Sequence, residues 1–113
     1  MKFNQEINTI ISAAEDKKAF DIKVIDLRGM SSITDFYIIM SANSDRQVAA
    51  IGNEIEDRMT KEEIEPISTE GYRTGRWVIL DYGDEIVHIF QKDEREFYNL
   101  EKLWLDAESY DID

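Results

Sequence analysis

No cysteine occurs in this 113-residue chain, which excludes disulfides, thiolate metal sites and cysteine nucleophiles. There is one histidine, so catalysis has a single imidazole to draw on. There is one proline, Pro66, and no apolar run approaches the length of a membrane-spanning helix. The opening residues M-K-F-N-Q-E-I-N lack the apolar stretch of a secretory signal, and a cytoplasmic protein is the expectation. Basic residues are scarce: 13 Lys and Arg stand against 25 Asp and Glu, for a net charge of −12. With no Lys/Arg cluster, direct binding to a nucleic-acid backbone is not expected, since that is driven by neutralising phosphates. Acidity suits solubility or a partner with a basic surface. Apolar residues make up 42% of the chain, enough to build a core, and the length suits one domain spanning 1–113.

The most informative segment runs from Arg76 to Gln91. Two apolar strands flank Gly83-Asp84, the pattern of a tight hairpin with a two-residue loop. That loop fixes the register. It sets Tyr82 opposite Glu85, Asp81 opposite Ile86, Leu80 opposite Val87, Ile79 opposite His88, Val78 opposite Ile89, and Trp77 opposite Phe90. Alternation then divides the hairpin into two faces. Val78, Leu80, Val87 and Ile89 form an aliphatic face, the material of a core. Trp77, Ile79, Asp81, Ile86, His88 and Phe90 form the other. Two aromatics, an acid and the histidine on one face resemble the composition of a protein-binding patch. The competing arrangement has the last helix lying over this face and burying Trp77 against Tyr98.

Around the hairpin, Phe3, Ile7, Ile10, Ile11 and Ala14 repeat at helical spacing, predicting a helix over 3–19. Residues 21–27 and 35–42 read as strands, the second apolar throughout, as in the middle of a sheet. Ser44 and Gln47 form a candidate capping box for a helix reaching 61, with apolar positions Val48, Ile51, Ile55 and Met59. Gly52 within it marks close backbone packing. Residues 65–68 are a short candidate strand, placed at an edge by Pro66, and 69–75 a loop. Asp93 is expected to cap a last helix carrying Phe97, Leu100 and Trp104 on one stripe. An acidic tail, 106–113, is expected to fray. Together these predict an α/β fold, a mixed sheet of about five strands with packed helices, and the helix 45–61 as a crossover that makes part of the sheet parallel.

Reactive chemistry is sparse. His88 lies diagonal to Asp81 within reach, an acid–base pair without a nucleophile beside it. Asp81, Asp84, Glu85 and His88 are close in sequence, but Asp84 and Glu85 belong to the turn, so no metal site is expected of them. No phosphate-cradling glycine motif is present. Ser44-Asp45-Arg46 at a helix N-terminus reads as ordinary capping. No catalytic, metal or cofactor residue is assigned.

Several segments, in order, resemble the ribosomal silencing factor (RsfS/Iojap) family. They are Asp26-Leu27 with S-S-I-T-D-F-Y at 31–37, Ser44-x-Arg46-Gln47-Val48, Glu70-Gly71, W-V-I-L-D-Y-G-D at 77–84, Val87-His88-Ile89-Phe90, and Arg95-x-x-Tyr98-x-Leu100-Glu101-Lys102-Leu103-Trp104. The resemblance spans about 21–107. It implies a nucleotidyltransferase-like fold without that enzyme class's Gly-Ser motif and paired carboxylates, hence a non-enzyme. It further implies a translational repressor that binds the large ribosomal subunit through ribosomal protein fourteen and sterically blocks joining with the small subunit. Family members are often homodimers when free. On this reading Trp77 is the anchor, Ile79 and Phe90 its apolar surround, Asp81 and His88 the polar groups, and Tyr98 an extension of the patch. The alternatives are a large-subunit assembly factor and a nucleotidyltransferase-like enzyme using Asp81 and His88.

Overall fold

The computed structural model describes residues 2–112. In chain order it comprises α1 (Gln5–Asp16), β1 (Phe20–Asp26), β2 (Phe36–Ala42), α2 (Asp45–Lys61), β3 (Ser68–Glu70), β4 (Trp77–Asp81), β5 (Glu85–Gln91), α3 (Lys92–Tyr98), a 3-10 turn (Leu100–Trp104) and β6 (Glu108–Ile112). The strands form one mixed sheet in the order β3-β4-β5-β2-β1-β6. Only β2 and β5 pair in parallel; β1–β2, β1–β6, β3–β4 and β4–β5 are antiparallel. The chain leaves β2, runs through α2 and returns by β3 and β4 to β5. This is the crossover a parallel pair needs.

The helices start where side chains satisfy their free N–H groups. Asn4 accepts from Ile7 N–H (2.9 Å) at α1. Ser44 Oγ accepts from Gln47 N–H (3.1 Å) at α2, and Gln47 Oε1 reaches back to Asn43 N–H (2.7 Å). The reciprocal bond of the expected capping box therefore falls one residue earlier than Ser44. Gly52 lies against the Tyr72 ring, where a Cβ would collide with the phenol.

Both long helices pack on one face of the sheet. Ile7, Ile10, Val48, Ile51, Ile55 and Met59 meet Val24, Ile38, Met40, Val78, Leu80, Val87 and Ile89 there, all with 0–1% exposure. Burying a Val, Leu, Ile or Met side chain contributes roughly 1.5–3 kcal/mol, so this layer is the main source of stability. A second, smaller cluster of Ile25, Leu27, Ile39 and Phe90 lies on the opposite face beneath residues 92–107.

Several expectations are corrected. The sheet has six strands rather than about five. The extra strand is β6, so residues 108–112 of the expected frayed tail are paired; Asp113 lies outside the described residues. Ile22 faces Ile112 and Val24 faces Tyr110 in that pairing, Lys23 forms an ion pair with Asp111 (3.8 Å), and Tyr110 meets Phe3 edge-on. Acidic composition hid an alternation that an open β1 edge could use. The edge strand β3 falls at 68–70, after Pro66 rather than through it. The last helix is capped by Gln91, whose Oε1 accepts from Asp93 N–H (2.9 Å), and is broken at Asn99. Asn99 takes φ 47°, a left-handed conformation asparagine tolerates. The stripe of Phe97, Leu100 and Trp104 is thereby split. Phe97 points outward at 79% exposure, while Leu100 and Trp104 pack on the second cluster.

Candidate functional site

The hairpin register is the one its loop length dictates. Trp77 pairs with Phe90, Val78 with Ile89, Ile79 with His88, Leu80 with Val87 and Asp81 with Ile86. Gly83 supplies the positive φ (87°) that the tight turn requires. Asp81 Oδ1 accepts from Gly83 N–H (2.8 Å), pinning the turn to the strand end. Asp81 is therefore engaged with its own turn and is not hydrogen-bonded to His88.

His88 turns instead to Trp77, whose indole N–H donates to His88 Nδ1 (3.2 Å). An Nδ1 that accepts places the proton of the neutral ring on Nε2. Burial disfavours the charged imidazolium and pushes the pKa down to about 4. His88 is a neutral, ordered acceptor at physiological pH, poorly suited to act as a general base on a substrate.

An aromatic layer surrounds this pair. Trp77 stacks on Phe90 (ring centroids 4.7 Å apart) and tilts against Tyr98 (4.8 Å). Tyr37, from the neighbouring β2, meets His88 edge-on (4.6 Å) and Trp104 at 6.1 Å. Gly71 lets the chain pass close to β4, since a Cβ there would strike the Trp77 carbonyl oxygen.

Residues 92–107 cover one end of this face and leave the other open. Arg95 fastens the segment. Its Nε donates to Glu101 (2.8 Å), and its Nη1 donates to Ser41 Oγ (2.9 Å) on β2 and to the Asp21 carbonyl on β1. Both arrangements raised for Trp77 are thus partly realised: the ring is half-buried, shared between Phe90, His88 and Tyr98 on one side and the surface on the other. Beside it lies a cleft of about 480 Å³ lined by Thr74, Arg76, Trp77, Glu94, Phe97 and Tyr98.

Of the six residues expected to contact a partner, Trp77, Ile79 and Asp81 are half-buried and Tyr98 is half-exposed. Phe90 and His88 are corrected: at 0% and 5% exposure they support the surface from beneath. The exposed residue missed by sequence reasoning is Phe97, which meets Tyr98 edge-on at 5.1 Å. Its signal was present, because Asn99 two residues on could end the helix, but the apolar stripe was read through the break. Leu103 and Leu105, at 71% and 79% exposure, add apolar surface on the same covering segment.

The structure does not assemble Asp81, Asp84, Glu85 and His88 into one site. Asp84 and Glu85 meet Glu6 of α1 instead. No helix among the described residues is long and apolar enough to cross a membrane.

Comparison with known proteins adds an independent finding. The family model "Ribosomal silencing factor during starvation" matches residues 1–113. A Bacillus subtilis protein named ribosomal silencing factor RsfS is 47% identical over 102 residues, covering 90% of this chain and 86% of its own. A crystal structure of a protein from Chromobacterium violaceum superposes with a TM-score of 0.87 at 31% identity, covering 92% of this chain and 87% of that one. A mouse protein named mitochondrial assembly of ribosomal large subunit protein 1 is 29% identical over 102 residues, covering 88% of this chain and 45% of its own.

Proposed function

We propose, since this chain belongs to the ribosomal silencing factor family, that it represses translation by binding the large ribosomal subunit through ribosomal protein fourteen and blocking the small subunit by its bulk. The observation that carries the reading is the half-covered aromatic face. Trp77, Ile79, Tyr98 and Phe97 offer apolar surface beside Asp81, on a hairpin held rigid by the core behind it. A steric blocker needs a firm, complementary surface and no reactive group, and this face supplies one. The net charge of −12 favours a basic ribosomal protein as the partner and disfavours close approach to RNA elsewhere. On this reading the protein is not an enzyme. His88, the sole imidazole, is buried, neutral and engaged by Trp77. A free homodimer belongs to the same reading and would show as twice the chain mass in light scattering.

The test is sedimentation with purified large subunits, followed by addition of small subunits. The wild-type chain should travel with the large subunit and reduce the yield of joined ribosomes, and Trp77→Ala should do neither at matched concentration. A wild-type chain that never travels with the subunit contradicts the function; a Trp77→Ala chain that travels equally well contradicts the site. Assembly of the large subunit is the second reading, favoured by the name of the mouse relative. It predicts immature particles on deletion and no effect on joining of purified subunits.

A further inference from the structure

At the end of the hairpin away from Trp77, three carboxylates converge. Glu6 comes from the first turn of α1, Asp84 from the β4–β5 turn, and Glu85 from the first position of β5. One ligand oxygen from each lies within 4.8 Å of the others. Glu85 shares a sheet face with Val87 and Ile89, beneath the helices, and is 0% exposed. Neither of its carboxylate oxygens has a hydrogen-bond partner among the described residues. No Lys, Arg or His forms an ion pair with any of the three among those residues. The turn itself is held, because the Asp84 carbonyl accepts from the N–H groups of Asp35 and Phe36 (3.1 Å each).

A buried carboxylate with two bare oxygens is a large cost unless something compensates it. The positive end of α1 offsets Glu6 in part, with about half an elementary charge. A proton would neutralise one carboxylate of three. A divalent cation would cancel two charges and coordinate the oxygens at once. Calcium suits such a cluster better than magnesium, because it takes several carboxylates in a flexible geometry, whereas magnesium demands a near-ideal octahedron and sheds its waters reluctantly.

We propose that Glu6, Asp84 and Glu85 form a binding site for a hard divalent cation of calcium size, which ties the N-terminus of α1 to the β4–β5 turn. Water or backbone oxygens would complete the shell, since calcium takes about six to eight oxygen ligands. This site is separate from the aromatic face: Glu85 and Phe90 stand near opposite ends of β5. The proposal can therefore fail while the ribosomal reading stands, and the reverse.

The experiment is isothermal titration of the EDTA-stripped full chain with CaCl2, and in parallel with MgCl2, near neutral pH and at physiological ionic strength. One saturable calcium site is expected, with weaker magnesium binding. Glu85→Gln, which keeps the shape and removes the buried charge, should weaken calcium by more than about tenfold. Glu6→Gln, at a half-buried helix start, should weaken it too and guards against a folding defect in the first variant. At a hundredfold excess over the dissociation constant, calcium should raise the thermal midpoint of the wild type by roughly 10 °C relative to EDTA. At the same calcium concentration the gain of Glu85→Gln should be no more than about half that of the wild type. No saturable calcium heat in the wild type, or a calcium-induced gain undiminished in Glu85→Gln, overturns the proposal.

Discussion

The two faces of the β4–β5 hairpin share one backbone and one register but have different surroundings. On the first, Val78, Leu80, Val87 and Ile89 are fully buried beneath helices. Only fit matters there, because aliphatic side chains make no demand beyond exclusion of water. On the second, Trp77, Ile79 and Asp81 are half-buried, and the indole N–H finds its acceptor in His88. This face pairs the indole N–H of Trp77, leaves His88 Nε2 and Trp104 Nε1 without a partner among the described residues, and keeps apolar area at the surface. Its covering segment is fastened by one arginine and stops short of closing it. The difference separates a face that holds the protein together from one available to hold something else.

The sharpest way to break that contrast is to perforate each face. Leu80→Ala on the closed face should cost about 2–5 kcal/mol in urea denaturation, through lost transfer energy and the cavity left behind. The folded fraction should keep its affinity for the large subunit. Trp77→Ala on the open face should cost about 2–4 kcal/mol of binding, a loss of roughly 30- to 1,000-fold in a titration against purified large subunits. If Leu80→Ala lost affinity at full folding, or Trp77→Ala lost only stability, the division between the faces would fall.

Acid should also act on the second face. His88 titrates near 4 when folded against about 6.5 in the unfolded chain, so between those values the unfolded state holds more protons. Stability from this group is complete above about 6.5 and declines as pH falls toward 4, by up to about 3 kcal/mol. The chain has one histidine, so its imidazole resonances can be followed by NMR without ambiguity. A midpoint near 4 is expected. One near 6.5 would mean that water reaches the ring and that the indole bond is not kept. The smallest effect belongs to Asp81→Asn, which keeps an acceptor for Gly83 N–H and removes a charge from the open face. Stability should change by less than about 0.5 kcal/mol, while association with a basic partner should slow and lose salt dependence in stopped-flow mixing.

Much of this contrast was legible in the chain. A two-residue loop admits one register, so every pair from Trp77–Phe90 to Asp81–Ile86 followed from Gly83-Asp84. The apolar run of β2 placed it in the sheet interior, and α2 as a crossover implied that part of the sheet is parallel; the structure puts that parallel pair at β2 and β5. What remained hidden depends on distant partners. β6 is acidic and becomes a strand because β1 offers an open edge. The break at Asn99 exchanges one helical stripe for a packed Leu100 and Trp104 and a solvent-facing Phe97, in a segment that Arg95 ties to β1 and β2. The exposure of Phe90 and His88 failed for the same reason. Periodicity assigns a side chain to a face, but what covers that face is decided by residues 92–107.

The most direct test of the open face uses residues whose loss barely touches the fold. Phe97→Ala with Tyr98→Ala removes an exposed and a half-exposed aromatic from the cleft beside Trp77, and Ile33→Ala removes an apolar side chain as exposed as Phe97 from the β1–β2 loop. Their dissociation constants from purified large subunits, measured side by side with wild type, should separate cleanly. The double variant should bind at least about tenfold more weakly, or 1.4 kcal/mol, and Ile33→Ala should match wild type. Equal affinity for all three, or a loss confined to Ile33→Ala, would contradict the claim that the partner settles on the aromatic face.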